Sequence, residues 1–180
     1  VVCPTGNTAK YENYVLNGRH YSAHVYGLSS MNQSNAAALN SIDMSETNPG
    51  RVIVYKGGNL RLRANSGSVS LNGTLVITNG NLEFHDNGTY VIHAVENFPA
   101  LVLPQNLLMT NSDNTDVTLN GPVLCVGDID LGNRRNSKLE INGPLVKTGT
   151  FANIRGGSDA GKIDLKQSGT STFWDFESEP

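Results

Sequence analysis

Short runs of alternating apolar and polar residues recur along the middle of the chain at a nearly constant interval. Residues 53–62 align with residues 75–84, which lie 22 positions later. Further copies begin at residues 101, 123 and 145, after steps of 26, 22 and 22 positions. A fixed period of this length indicates an internal repeat, in which each unit is one small supersecondary structure.

Each repeat unit contains two or three stretches with the alternation of β-strands, separated by glycine and asparagine. No unit has the 3.6-residue spacing of a helix, and leucine-rich repeats place leucine and asparagine in a different order. Because so small a unit cannot bury its own apolar face, its copies must stack. The pattern predicts an all-β fold, a parallel β-solenoid with about 22 residues per coil and five to six coils. An antiparallel sheet of hairpins is the alternative.

The repeat register predicts columns of inward-facing apolar residues, in which each member lies above its counterpart in the previous coil. The first column contains Ile53, Leu75, Leu101, Val123 and Leu145, and the second contains Leu60, Leu82, Leu107, Ile129 and Phe151. A third contains Leu71, Leu119, Ile141 and Ile163. The same register places Arg61 and Glu83 side by side on an outer face, where we expect them to form an ion pair.

Glycine and asparagine mark two predicted corners of each coil. Glycines 58, 80, 127 and 149 recur at the first corner, where we expect positive φ angles. We expect two ladders of hydrogen bonds along the solenoid. The first is formed by the residues that follow these glycines or stand at the equivalent position. The second is formed by the asparagines of the Asn-Gly pairs at the second corner. These structural ladder residues are Asn59, Asn81, Asn106 and Asp128 at the first corner and Asn72, Asn120 and Asn142 at the second.

The two ends of the chain do not follow the repeat. Residues 1–50 are predicted to form an N-terminal cap or flanking β segment, with a turn at Asn17-Gly18 and one short helix over residues 35–44. The solenoid is assigned to residues 51–169 and a C-terminal tail to residues 170–180. The tail carries Phe173, Trp174 and Phe176, which we interpret either as a plug for the core or as a patch for a partner.

Composition excludes several classes of protein. The 180 residues carry a net charge of −3, which argues against a nucleic-acid binder that depends on phosphate contacts. No apolar run is long enough for a membrane segment, and no signal peptide is visible in the given sequence. The 19 glycines and 22 asparagines give a small-polar composition that suggests an extracellular or cell-surface location.

Residues that could carry chemistry are scattered. Asp128 and Asp130 share one strand face, but no second acidic pair stacks on them, as an enzyme acting on polysaccharides would require. His20 and His24 lie in a β-like stretch, where a spacing of four does not suit a metal. We therefore predict no catalytic site, no metal and no cofactor. Cys125 is either a buried free thiol or the partner of Cys3 in a disulfide bond.

Three segments carry a resemblance to a known family: residues 97–103, 117–131 and 139–146. In them a Pro-Ala-Leu-Val stretch is followed by strands of the type Ile-Asn-Gly-x-Leu-Val and Gly-Asp-Ile-x-Leu. This pattern resembles the β-helical region of PilX-like, minor-pilin-type pilus-assembly proteins. The resemblance implies a secreted module associated with a filament, without catalytic residues to carry over.

The sequence thus predicts a non-enzymatic, extracytoplasmic structural or adhesive module of a pilus-like or cell-surface assembly. Its partners would be proteins of that assembly, with a glycan as a further candidate and no nucleic acid. The alternative is a carbohydrate-active or carbohydrate-binding β-helix protein. A third hypothesis is a scaffold that assembles by joining solenoids end to end.

Overall fold

The computed structural model describes residues 8–42, 46–153 and 161–166. Nearly all of its strands belong to three parallel sheets, because each coil contributes one strand to each sheet in turn. The first sheet contains β3 (His24–Tyr26), β5 (Val52–Tyr55), β8 (Thr74–Ile77), β11 (Leu101–Leu103), β14 (Val123–Cys125) and β17 (Leu145–Lys147). The second sheet contains β4 (Ser30–Asn32), β6 (Leu60–Arg63), β9 (Leu82–Phe84), β12 (Leu107–Leu108), β15 (Ile129–Asp130) and β18 (Phe151–Ala152).

The third sheet contains β7 (Ser68–Asn72), β10 (Gly88–His93), β13 (Thr115–Asn120), β16 (Lys138–Asn142) and β19 (Lys162–Lys166). The remaining elements are a 3₁₀ helix at Thr8–Tyr11, the strands β1 (Asn13–Leu16) and β2 (Arg19–Ser22), and the helix α1 (Gln33–Ser41). The chain is therefore a parallel β-solenoid protein, as the repeat predicted.

Strand pairing confirms the predicted register in the first two sheets. In the first sheet Leu101 pairs with Leu75 on one side and with Val123 on the other. Leu82 pairs with Leu60 and Leu107 in the second sheet in the same way. The single longer step of 26 positions comes from the connection between β10 and β11, which carries Phe98 onto the outer surface of the first sheet.

The third sheet differs from the prediction at two places. Strand β10 inserts Ile92 between Leu71 and Leu119, a member of the column that the sequence register did not contain. At the last coil Ile141 pairs with Leu165, so the prediction that Ile163 follows Ile141 is wrong. The connection from β18 to β19 is two residues longer than the equivalent connection before it, which shifts the register of β19 by two residues and keeps its alternation in phase.

The interior of the solenoid is filled by the three columns. Their members in the middle coils are almost completely inaccessible to solvent, and several aromatic side chains are buried with them. Phe84 and Tyr90, for example, meet edge to face with ring centroids 5.1 Å apart. Burial of these stacked apolar side chains is the main source of stability in a fold whose coils contact only their neighbours.

The N-terminal region contributes to the solenoid earlier than the sequence suggested. Strands β3 and β4 pair in parallel with β5 and β6, so the first two sheets begin at His24 and Ser30. The predicted turn at Asn17-Gly18 is confirmed: both residues have positive φ, and β1 and β2 form an antiparallel hairpin around them. This hairpin covers the outer surface of the first sheet.

The helix α1 takes the place of a third-sheet strand in the first coil. It spans Gln33–Ser41 where residues 35–44 were predicted, because Asn32 and Asn35 form a reciprocal capping box at its start. The side chain of Asn40 donates to the carbonyl of Ser70 at 2.7 Å and accepts from the N–H of Asn72 at 3.0 Å. The helix thereby provides partners for two backbone groups on the free edge of β7, an edge that would otherwise expose unpaired donors and acceptors.

Among the described residues, no helix has the length and apolar character needed to cross a bilayer. The predicted aromatic plug at Phe173, Trp174 and Phe176 lies outside the described residues.

Candidate functional site

The first-corner residues are connected by a continuous series of hydrogen bonds. The N–H of Asn81 donates to Oδ1 of Asn59 at 2.9 Å, and the N–H of Asn106 donates to Oδ1 of Asn81 at 3.0 Å. The N–H of Asp128 donates to Oδ1 of Asn106 at 2.8 Å, and that of Thr150 donates to Oδ1 of Asp128 at 2.6 Å. Each bond joins a side chain of one coil to the backbone of the next, so the ladder holds adjacent coils in register.

Glycine is found beside this ladder for two different structural reasons. Gly58 and Gly80 have positive φ angles of 88° and 104°, as expected. Gly127 and Gly149 do not have positive φ, so that part of the expectation is wrong. A Cβ at Gly149 would lie 2.4 Å from the carbonyl of Gly127, which shows that close stacking of the coils requires glycine there.

The second-corner asparagines form a shorter ladder that includes a histidine. Nδ2 of Asn142 donates to Oδ1 of Asn120 at 2.8 Å, and Nδ2 of Asn120 lies 3.1 Å from Nδ1 of His93. His93 pairs with Asn72 in the strand register, so it interrupts the asparagine column at the third coil. Asn72 is bonded instead through its backbone to Asn40. The sequence missed His93 because β10 ends in His-Ala rather than Asn-Gly.

The predicted ion pair on the outer face of the second sheet is confirmed. Nε of Arg61 lies 2.9 Å from Oε2 of Glu83, on adjacent strands. The other oxygen of Glu83 lies 3.1 Å from Nδ1 of His85. Since the Arg61 side chain is half exposed, we expect the pair to set the alignment of the coils more than the stability of the fold.

Both aspartates that could have suggested catalysis are engaged by the next coil. Hydrogen bonds from the N–H and hydroxyl of Thr150 lower the pKa of Asp128. The carboxylate of Asp130 accepts from the backbone N–H of Gly132 at 2.7 Å and from Nδ2 of Asn153 at 2.9 Å. The carboxylate of Asp128 thus stabilises a corner between two coils, and that of Asp130 stabilises the turn that follows β15.

The remaining candidate groups are separate from one another. His20 lies in β2 of the hairpin and His24 begins β3, so they belong to different layers of the molecule. In the described parts of the chain, no three His, Cys, Asp or Glu side chains form a group that could hold a metal ion. Cys125 is a buried free thiol, and burial raises its pKa to about 11. Its other predicted state, a disulfide with Cys3, involves a residue outside the described ranges.

Mostly polar side chains cover the outside of the third sheet. The central row of this polar face runs through Ser70, Val91, Thr118, Glu140 and Asp164, which are paired strand to strand. The flanking rows contain Ser68, Thr89, Asp116, Lys138 and Lys162 on one side and Asn72, His93, Asn120, Asn142 and Lys166 on the other. The polar face is therefore five parallel strands wide, with its charged residues concentrated toward β16 and β19.

Glu140 is the central charge of this face. Its carboxylate contacts Nζ of Lys138 in its own strand and lies 2.7 Å from Nζ of Lys166 in β19. Hydrogen bonds from these two lysines lower the pKa of Glu140 to about 2, well below the ordinary value of 4.5. The two strands at this end of the sheet are thus joined by a charge network.

We expect the contribution of Glu140 to stability to depend on pH. Since the pKa of its carboxyl is depressed in the folded state, its stabilising effect is complete above pH 4.5 and is lost as the pH falls through about 2. Urea denaturation midpoints should therefore be higher for the natural protein than for Glu140→Gln at neutral pH, and the two should converge toward pH 2. Glu46→Gln, which removes an exposed carboxylate in the loop before β5, serves as the control. A gap that stays constant across this range would contradict the expectation.

The outside of the first sheet, in contrast, is apolar and covered. Val54, Val76 and Val102 point outward and are nevertheless buried, because the hairpin and Phe98 pack over them. The hydroxyl of Tyr14 fixes this layer by donating to Oδ1 of Asn48 at 2.8 Å. Within the described residues, the hairpin and Phe98 cover the outside of the first sheet, whereas the outward side chains of the third sheet are partly or fully exposed.

Comparison with known proteins adds no relative: neither a protein-family model, nor a curated protein, nor a solved structure matches this chain. The class of the protein, a parallel β-solenoid with a covered first sheet and an open polar third sheet, therefore rests on its own structure.

Proposed function

We propose that this protein is a non-enzymatic, extracytoplasmic structural or adhesive module of a pilus-like or cell-surface assembly. The observation that carries the proposal is the polar face, a surface of five parallel strands that offers side chains at regular intervals to a partner. The resemblance of residues 97–103, 117–131 and 139–146 to PilX-like, minor-pilin-type proteins supports a filament as the assembly.

Rigidity supports the same proposal. Stacked coils joined by side-chain-to-backbone ladders are expected to give a preorganised surface, and preorganisation lowers the entropic cost of recognition. The engagement of Asp128 and Asp130 by Thr150 and Asn153 favours a structural role for these carboxylates over the carbohydrate-active alternative. The partner we propose is a protein of the assembly, bound across the polar face.

A variant at the centre of the polar face tests the proposal. Thr118 lies in the middle strand and is partly exposed, so Thr118→Arg introduces a bulky charge there without altering the core. We expect the natural protein to sediment with filaments sheared from cells that carry its gene. Thr118→Arg should reduce this binding about tenfold, which corresponds to about 1.4 kcal/mol.

The matched control is Ala152→Arg, which places the same side chain on the outer face of the second sheet. It should leave filament binding unchanged, and circular dichroism should show that both variants are folded. Equal binding by both variants would exclude the polar face as the contact surface. Binding to a purified glycan, with no binding to filaments, would favour the carbohydrate-binding alternative.

A further inference from the structure

The two halves of the polar face differ in how their outward side chains are used. In β16 and β19, the lysines contact carboxylates of the face itself. In β7 and β10, four outward polar side chains have no hydrogen-bond or ion-pair partner among the described residues: Ser68, Ser70, Asn72 and Thr89. The half of the face that β7 and β10 form therefore keeps most of its hydrogen-bonding capacity for a partner.

The direction of the second-corner ladder is set at Glu140. A carboxylate can only accept hydrogen bonds, and that of Glu140 accepts one from the side-chain amide of Asn142. Nδ2 of Asn142 also donates to Oδ1 of Asn120 at 2.8 Å. Because Oδ1 of Asn120 is the acceptor in that bond, its Nδ2 is turned toward β10, where it lies 3.1 Å from Nδ1 of His93. The ladder thus ends in a donor that faces the histidine.

This direction determines which ring nitrogen of His93 carries the proton when the ring is neutral. Nδ1 is the unprotonated nitrogen, since it accepts from Nδ2 of Asn120. The proton of the neutral ring is then on Nε2. His93 is exposed, and within the part of the chain that the structure describes Nε2 makes no hydrogen bond. A donor fixed by the ladder is therefore available on the polar face, beside the unpartnered amide of Asn72.

We propose that His93 is a recognition residue of the polar face, where its Nε2–H donates to an acceptor of the partner, and that Asn120 and Asn142 are positioning residues that hold it in this donor form. The role rests on the proposed function, because it requires that the polar face binds a protein of the assembly. The outward residues of β7 and β10 include no Asp, Glu, Lys or Arg. The part of the partner that meets them is therefore an uncharged surface that offers carbonyl or hydroxyl oxygens.

Nuclear magnetic resonance of the histidine ring nitrogens tests the positioning role without any partner. At about pH 9, where histidine is ordinarily neutral, the natural protein should carry the proton of His93 on Nε2. Asn120→Asp replaces the donor that faces Nδ1 with a carboxylate oxygen, while the other oxygen still accepts from Asn142. We expect the proton of His93 to move to Nδ1 in this variant.

Two further variants complete this measurement. His93→Asn identifies the signals of His93 among those of the four histidines. Asn97→Asp makes the same change of an amide into a carboxylate at an exposed position between β10 and β11, so it should leave the His93 ring unchanged.

Binding to the sheared filaments tests the recognition role. His93→Asn continues the asparagine column and so preserves the ladder, but it removes the Nε2–H. We expect His93→Asn and Asn120→Asp each to lower binding about tenfold, the loss of one well-placed hydrogen bond. The double variant should bind no worse than either single variant, because both changes remove the same hydrogen bond. Asn97→Asp should bind as well as the natural protein.

The possible failures are distinguishable. A proton that stays on Nε2 in Asn120→Asp would overturn the positioning role, and losses that add in the double variant would show that the new charge, rather than His93, weakens binding. If Thr118→Arg lowers binding and His93→Asn does not, the polar face is the contact surface but His93 has no role in recognition. If Thr118→Arg leaves binding unchanged, the proposed function fails and the recognition role of His93 fails with it.

Discussion

Gly80→Ala is expected to destabilise the protein by about 3 kcal/mol, the sum of backbone strain and a clash with the coil beneath it. Gly80 has a φ of 104°, a conformation that costs any other residue roughly 1–2 kcal/mol. A Cβ at this position would lie 2.4 Å from the carbonyl carbon of Gly58 and 2.6 Å from the backbone nitrogen of Asn59. Because these are backbone atoms of the neighbouring coil, the clash cannot be relieved by rotating a side chain.

Gly58→Ala separates the two contributions. Gly58 occupies the same corner one coil earlier, with a φ of 88°, but no atom lies within 4 Å of its hypothetical Cβ. We therefore expect this variant to lose only the strain contribution, about 1–2 kcal/mol. Urea denaturation at equilibrium measures both values. Equal losses at the two positions would show that stacking distance does not determine the requirement for glycine at this corner.

The period of the chain was enough to predict its class of fold and most of its register. Because a solenoid places equivalent residues of successive coils in contact, a 22-residue offset in sequence becomes a strand pair in space, as for Val123 and Leu145. The same logic predicted the contact between Arg61 and Glu83. The local sequence was sufficient for these predictions because every coil repeats the same arrangement of strands and corners.

The parts that could not be predicted are those where the repeat changes length. Strand β10 was missed because its end lacks the Asn-Gly corner, and the connection that follows it is longer than the others. The dipeptide Asn-Gly itself is ambiguous: at Asn17-Gly18 it closes an antiparallel hairpin, whereas Asn72-Gly73 forms the corner between β7 in the third sheet and β8 in the first sheet. Only the surrounding period distinguishes the two uses.

The sequence does contain a pattern that indicates the covered outer face of the first sheet, although this pattern is not one of alternating apolar and polar residues. Strands β5 and β8 read Val-Ile-Val-Tyr and Thr-Leu-Val-Ile, and all eight residues are buried. A continuous apolar run is typical of a strand that is buried on both faces. The alternating runs of β7 and β13, in contrast, are typical of a sheet with one open face, which is where the polar face lies.

Leu82→Ala is expected to destabilise the protein by about 2–5 kcal/mol, as much as or more than Gly80→Ala, because it creates a cavity at the centre of the core. Leu82 is completely buried and lies between Leu60 and Leu107 in its column. In a solenoid the removed side chain contributes to two coil interfaces at once, one on each side. The loss should appear as a lower urea midpoint for the whole molecule.

The same substitution at Leu165, which is half exposed in the last coil, removes the same atoms with less burial. We expect Leu165→Ala to cost about 1 kcal/mol or less, since only the buried part of the side chain contributes. Comparable losses at Leu82 and Leu165 would contradict a core whose stability is concentrated in its central coils. A difference of the expected size would show that position along the stack, rather than the type of residue, determines how much each leucine contributes.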